Sequence, residues 1–179
     1  MLKAGELMAD KGYDGASMRD IAAAVGMLPG SVYYHFPSKE ALFVELHHNI
    51  VTEMTQRVQD AIAAADNPWD RLENAACAHA EGLLETGNLV AIVSPQFAHQ
   101  TARIEDVIRE ERRNYENIFR DLFEALNLPP EADATLLRLQ LFGTLNWVPV
   151  WFRKGGKYSG THVARQAVRV MRRAYSEAG

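Results

Sequence analysis

Six apolar residues, Leu42, Leu46, Ile50, Met54, Val58 and Ile62, follow one another at intervals of four in a stretch bounded by Pro37-Ser38 and Asn67-Pro68. Side chains three or four apart share one side of an α-helix, whereas a strand returns to the same face at every second residue. This stretch therefore specifies a helix of about six turns with one continuous apolar stripe. The same periodicity recurs along the chain and strand signals are nearly absent, which points to an all-α protein. Breakers and caps place the other helices. Residues 2–11 form a short helix ending at Gly12; Ser17, with Asp20 three residues on, opens a second that stops at Gly26; Pro29 opens a third that ends near Phe36. Further helices are expected over 69–86, 89–99, 103–127, 131–152 and 159–177. A boundary near residue 45, inside the long helix, divides a small amino-terminal domain, 1–45, from a larger helical body, 46–179.

Composition removes several classes. With 179 residues, 47% hydrophobic and 23% charged, the chain can bury a proper core and is neither disordered nor fibrous. Its apolar runs fall short of a membrane span and no cleavable leader opens it, so a cytoplasmic protein with no membrane partner is expected. Cys77 is the single cysteine, which excludes an internal disulfide and is expected to be a small buried residue. The net charge is −4, and residues 1–60 carry five basic residues against eight carboxylates, a net of −3. That sign opposes indiscriminate binding to polyanions. By contrast, residues 153–173 hold seven basic residues and no carboxylate, so any anion site is local. His47 and His48 are adjacent and point to different sides of a helix, and His79 and His99 lack partners at metal-ligand spacing. Neither a nucleophile elbow nor a phosphate loop occurs. No catalytic residue, metal ligand or cofactor is assigned, and a metal site is the enzyme-class alternative, open to metal analysis.

The sharpest signal is two short helices joined by a Gly-containing turn, the second rich in polar and aromatic side chains. This is the form of a helix-turn-helix whose second helix enters the DNA major groove. The runs Ser17-Met-Arg-Asp-Ile-Ala-Ala-Ala-Val-Gly26, Gly30-Ser-Val-Tyr-Tyr-His-Phe36 and Ser38-Lys-Glu-Ala-Leu42, with Gly12-Tyr13, resemble the TetR family of transcriptional regulators over about residues 2–46. The resemblance implies that Ser17 and Arg19 meet the DNA backbone or bases. It also implies that Gly30, Ser31, Tyr33, Tyr34 and His35 form the recognition helix, and that Lys39 binds phosphate. Val32 and Phe36 are read as core. Hydroxyls and a lysine suit phosphates, while Ser31 and Tyr34 suit base edges or a thymine methyl. Family members usually carry several residues, often basic, before the first helix, and this chain starts inside it. Affinity is therefore expected to depend on dimeric, sequence-specific docking and to fall steeply with salt.

The body is similar to the family in helix layout. Its last two helices are expected to pair with their mates in a homodimer, with Leu136, Leu139, Phe142, Leu145, Val168, Met171 and Tyr175 either at that interface or in the monomer core. The passage from Asn146 to Gly156 resembles regulators of steroid and fatty-acid breakdown, some of which sense coenzyme A thioesters. Trp147 and Trp151, four apart with Pro149 between, form either an aromatic pocket wall or ordinary core. Arg165, Arg169, Arg172 and Arg173 fall on one side of the last helix, a candidate phosphate site or, the favoured reading, a solvated face. Candidate ligand-binding residues are Trp69, His79, Phe97, Tyr115, Phe119, Asn146, Trp147 and Trp151. The expected function is a dimeric regulator, a repressor that leaves a palindromic double-stranded operator when a small apolar molecule or acyl-CoA thioester enters the body. The alternative is a dimeric small-molecule-binding or interaction protein that no longer binds DNA.

Overall fold

A computed structural model describes residues 1–93 and 105–176, and every described element is helical. Helices α1 (Leu2–Gly15), α2 (Met18–Val25), α3 (Pro29–His35), α4 (Lys39–Ala63) and α5 (Pro68–Thr86) lead to a 3₁₀ turn, Gly87–Leu89, and the short α6 (Val90–Val93). The remaining described elements are α7 (Glu105–Glu124), α8 (Ala134–Asn146), α9 (Val148–Trp151) and α10 (Gly160–Ser176). They form two compact units, Met1–Thr52 with Thr86–Arg113 and Glu53–Glu85 with Asn114–Gly179. Residues 39–52 of α4 and 105–113 of α7 belong to the first unit, and the later residues of both helices to the second.

The first unit is built on local signals. Ser17 accepts from the Asp20 amide at 3.1 Å while the Asp20 carboxylate accepts from the Ser17 amide at 3.0 Å, which closes the expected capping box. Gly26 adopts φ 71°, and its amide and that of Met27 donate back to Ala23 and Ala22, so the left-handed residue ends α2 and frees the turn before α3. The first helix is interrupted at Gly12, as expected: its φ of 74° and ψ of 164° are not helical, and the turn beyond it buries Tyr13 against Phe43 with ring centroids 5.4 Å apart. Met8, Ile21, Leu42, Phe43, Ile92 and Ile108 form the core of this unit. Within it His47 and His48 reach the same carboxylate, Glu111, at 2.6 and 2.7 Å. Burial lowers the pKa of His47, opposed by that carboxylate.

In the second unit Val58, Leu72, Phe119, Leu141, Leu145 and Val168 are fully covered. Burying a side chain the size of Phe119 contributes roughly 1.5–3 kcal/mol. Asn67 caps α5 by accepting from the Trp69 amide, Asp133 caps α8, and Ser159 caps α10. The helix expected over 131–152 is instead two helices. It starts at Ala134 behind the Asp133 cap, and it breaks at Trp147, two residues before Pro149. Cys77 is 9% exposed, as expected of a small core residue, and burial pushes its thiol up to about 11. Among the described residues no helix is long and apolar enough to cross a membrane, and no group of three or more His, Cys, Asp or Glu is placed to hold a metal ion.

Candidate nucleic-acid interface and effector site

The face of α3 sorts itself by helical period. Val32 points inward at 5% exposure and Phe36 packs partly against the same core, while Gly30, Ser31, Tyr33, Tyr34 and His35 all face outward. Tyr34 is 86% exposed, and its ring meets His35 edge-on at 5.3 Å. A tyrosine so uncovered keeps most of its surface in water and is available to a partner. Arg19 is also exposed. Two positions are engaged locally. The Ser17 hydroxyl donates to Asp20 at 2.6 Å, so a phosphate, which only accepts, has to compete for that proton. The Lys39 ammonium donates to the Tyr13 carbonyl at 2.8 Å and lies 4.3 Å from the centre of the Tyr13 ring, which fixes the long side chain in place and leaves further donors on its nitrogen.

In the second unit four of the sequence-selected residues come together. His79 on α5 is held between Tyr115 on α7, whose hydroxyl is 2.6 Å from Nδ1, and Asn146 on α8, whose Oδ1 is 3.0 Å from Nε2. As oriented, Nε2–H donates to Asn146 and Nδ1 accepts from Tyr115, which leaves the imidazole neutral with both nitrogens paired. Burial with no charged partner pushes His79 down to about 4, opposed by the Asn146 hydrogen bond, and burial alone raises Tyr115. Phe119 and Phe142 close the cluster, each edge-on to His79 at 5.8 and 5.5 Å. Phe142 was read as core or dimer surface, and it lines this cluster.

The other candidates lie elsewhere. Trp69 is a core residue at 8% exposure. Trp147 sits at the break before α9, 62% exposed, and Trp151 ends that short helix at 39%, so neither is a core residue. Phe97 lies outside the described residues. The arginine face of α10 is a charged, ion-paired surface, since Arg165 and Arg169 reach Glu73 at 3.5 and 3.4 Å and Arg172 reaches Asp70 at 2.7 Å. Of the proposed dimer residues, Leu145 and Val168 are fully buried within the unit, whereas Leu136 and Leu139 are 57% and 55% exposed. Val170, on α10, adds a third uncovered aliphatic at 56%. Between α8 and α10 a groove of about 650 Å³ is lined by Gln140, Thr144, His162, Gln166 and Val170.

Residues 2–46 match the family described as bacterial regulatory proteins, tetR family, and residues 65–175 match the tetracyclin repressor-like C-terminal domain. The chain belongs to the TetR family. As a TetR-family protein it is a helix-turn-helix transcriptional regulator and not an enzyme. Its relatives include the HTH-type transcriptional repressor KstR2 of Mycobacterium tuberculosis, 28% identical over 94% of this chain and 86% of the relative. The fatty acid metabolism regulator protein of Bacillus subtilis is 22% identical over 86% of this chain and 81% of its own. Among solved structures, the ketosteroid transcriptional regulator KstR2 of M. tuberculosis matches with a TM-score of 0.78, 24% identity and coverage of 97% and 91%. AibR, solved with isovaleryl coenzyme A and operator DNA, matches with a TM-score of 0.80, 24% identity and coverage of 94% and 93%. These two structures establish the shared fold.

Proposed function

We propose that this TetR-family regulator is a homodimeric repressor of a palindromic operator, released when an acyl-CoA thioester or a similar largely apolar molecule binds the second unit. The DNA-binding role falls to residues 1–45 and the effector and dimerisation roles to 46–179. The observation that carries the DNA reading is the outward face of α3, where Ser31, Tyr33, Tyr34 and His35 are uncovered together on a helix that holds no carboxylate. Arg19, Gly30 and Lys39 complete this interface, with Ser17 chiefly fixing α2 against the duplex. Two half-sites are read at once when the uncovered aliphatics of α8 and α10 meet their counterparts on a second copy.

The effector reading is supported by the His79, Tyr115 and Asn146 cluster and by relatives named for ketosteroid and fatty-acid regulation and for an isovaleryl coenzyme A complex. The aromatic ring set of Phe119 and Phe142 suits an acyl chain, and the neutral polar trio suits an uncharged carbonyl. Release follows if the ligand binds more tightly to a dimer whose recognition helices are wrongly spaced for the operator. A mobility shift on DNA flanking the gene tests this at fixed salt, with wild type and Tyr34→Ala compared and a panel of acyl-CoAs added. A specific shift that the substitution weakens and one thioester reverses is the expected result. A shift that no thioester reverses removes that effector class, and no specific shift removes the operator.

A further inference from the structure

Five described helices open on a side-chain cap, and α1, α3 and α9 open without one. Ser17, Ser38, Asn67, Asp133 and Ser159 precede α2, α4, α5, α8 and α10, and each offers a side-chain oxygen to an amide of the first turn. Such caps contribute about 1 kcal/mol apiece. The recognition helix α3 has Leu28 in that place, with no side-chain cap, and the leucine is 77% exposed. Neither stability nor solubility favours an uncovered aliphatic where a serine would cap. Departures of this kind are expected where function sets the residue. The backbone there is also fixed: Leu28 precedes Pro29 and lies at φ −72°, ψ 145°, the extended conformation imposed on a residue before proline. Its side chain is thus held at the head of the helix whose first residues reach base edges in the major groove.

We propose that Leu28 is a specificity-determining residue that seats against a thymine C5-methyl group in the operator half-site. Adenine, guanine and cytosine offer no methyl at that groove edge, and an aliphatic side chain makes no hydrogen bond to them. Tyr34 and Ser31 carry hydrogen-bonding groups on the same helix, so the leucine adds the apolar contact they do not supply. The side chain itself is the reader, and the inference rests on the operator reading above.

The test uses a duplex selected from a random pool by the wild-type protein and resynthesised with deoxyuridine replacing each thymine in turn, which deletes one methyl and nothing else. One symmetric thymine pair is expected to lower wild-type affinity about 3- to 5-fold per half-site, the scale of one buried methyl. Leu28→Ala and Leu28→Ser are expected to bind thymine and uracil duplexes alike, and Leu28→Ser to keep or raise the thermal midpoint because it restores a cap. Deoxyuridine effects that persist unchanged in both variants overturn the proposal while leaving operator binding intact. So does a fall in the thermal midpoint of Leu28→Ser, which would make the leucine structural. Failure to select any specific duplex removes the operator reading and this contact together.

Discussion

Among the described residues each unit leaves apolar side chains uncovered and buries one histidine, and the two differ in both respects. Around α3 on the first unit the uncovered apolar side chains Leu28, Tyr33 and Tyr34 are mixed with Ser31 and His35. On the second, α8 and α10 expose the aliphatics Leu136, Leu139 and Val170, with Gln140, Thr144 and Gln166 in the groove between the two helices. The mixed surface suits a wet, polar partner such as a duplex groove, whereas the aliphatic one suits a dry surface like itself. The buried histidines diverge in the same sense. His47 keeps a carboxylate, Glu111, at 2.6 Å, while His79 is given only neutral partners. One buried imidazole thus has a charge beside it, and the other has none.

The largest effect is expected from a charge on the aliphatic surface. Leu139→Asp should weaken dimerisation at least about 100-fold, since a carboxylate brought into a dry interface costs several kcal/mol. Sedimentation equilibrium reads this directly, and operator binding should fall with it. A dimer of unchanged strength would place the subunit contact elsewhere.

Next comes acid. Because His79 titrates at about 4 when folded and near 6.5 when unfolded, the unfolded chain binds more protons between those values. Stability is therefore full above about pH 6.5 and declines as pH falls toward 4, by at most about 3 kcal/mol for this group. All three tryptophans, Trp69, Trp147 and Trp151, belong to the second unit, so denaturant melts followed by tryptophan fluorescence report it. In His79→Leu the decline that these tryptophans report should largely disappear, since His47, whose pKa is also lowered, belongs to the first unit. An undiminished decline would assign the acid response to other groups.

Tyr34→Ala should lower operator affinity about 10-fold, the loss of one good base contact, with the dimer unchanged. Together with Leu139→Asp it separates the two surfaces, since one variant loses DNA alone and the other loses both. Smallest of all, Arg172→Ala should change stability by no more than about 0.5 kcal/mol, because its ion pair with Asp70 is solvent-exposed. Its acyl-CoA response should match wild type in the same mobility shift, and a lost response would return the arginine face to the effector site.

What could be read in advance divides by sequence separation. The Ser17–Asp20 box, the Gly26 stop and the inward Val32 against the outward Tyr34 depend on residues within a few positions of one another, and periodicity displays them. His47 and His48 meeting on Glu111 joins positions more than 60 apart, and adjacency in the chain argued against a shared partner. His79, Tyr115 and Asn146 were each selected for residue type, but their meeting spans 36 and 67 residues and no local pattern encodes it. Pro149 marked a disturbance of the backbone in advance, but where the helix stops, at Asn146 before Trp147, is not encoded in the spacing. Likewise the arginines of α10 found their carboxylates on α5, which a solvated-face reading of one helix allows without naming them.

The single thiol gives the molecule an internal gauge. Cys77 Sγ lies 3.8 Å from the Thr161 carbonyl, where α5 meets α10, and with a pKa of about 11 it is scarcely ionised at neutral pH. Alkylating reagents attack the thiolate of an accessible cysteine, so the rate at which this one is labelled counts how often those two helices part. An effector that fills the second unit would slow that clock, and one that pries the helices apart would quicken it.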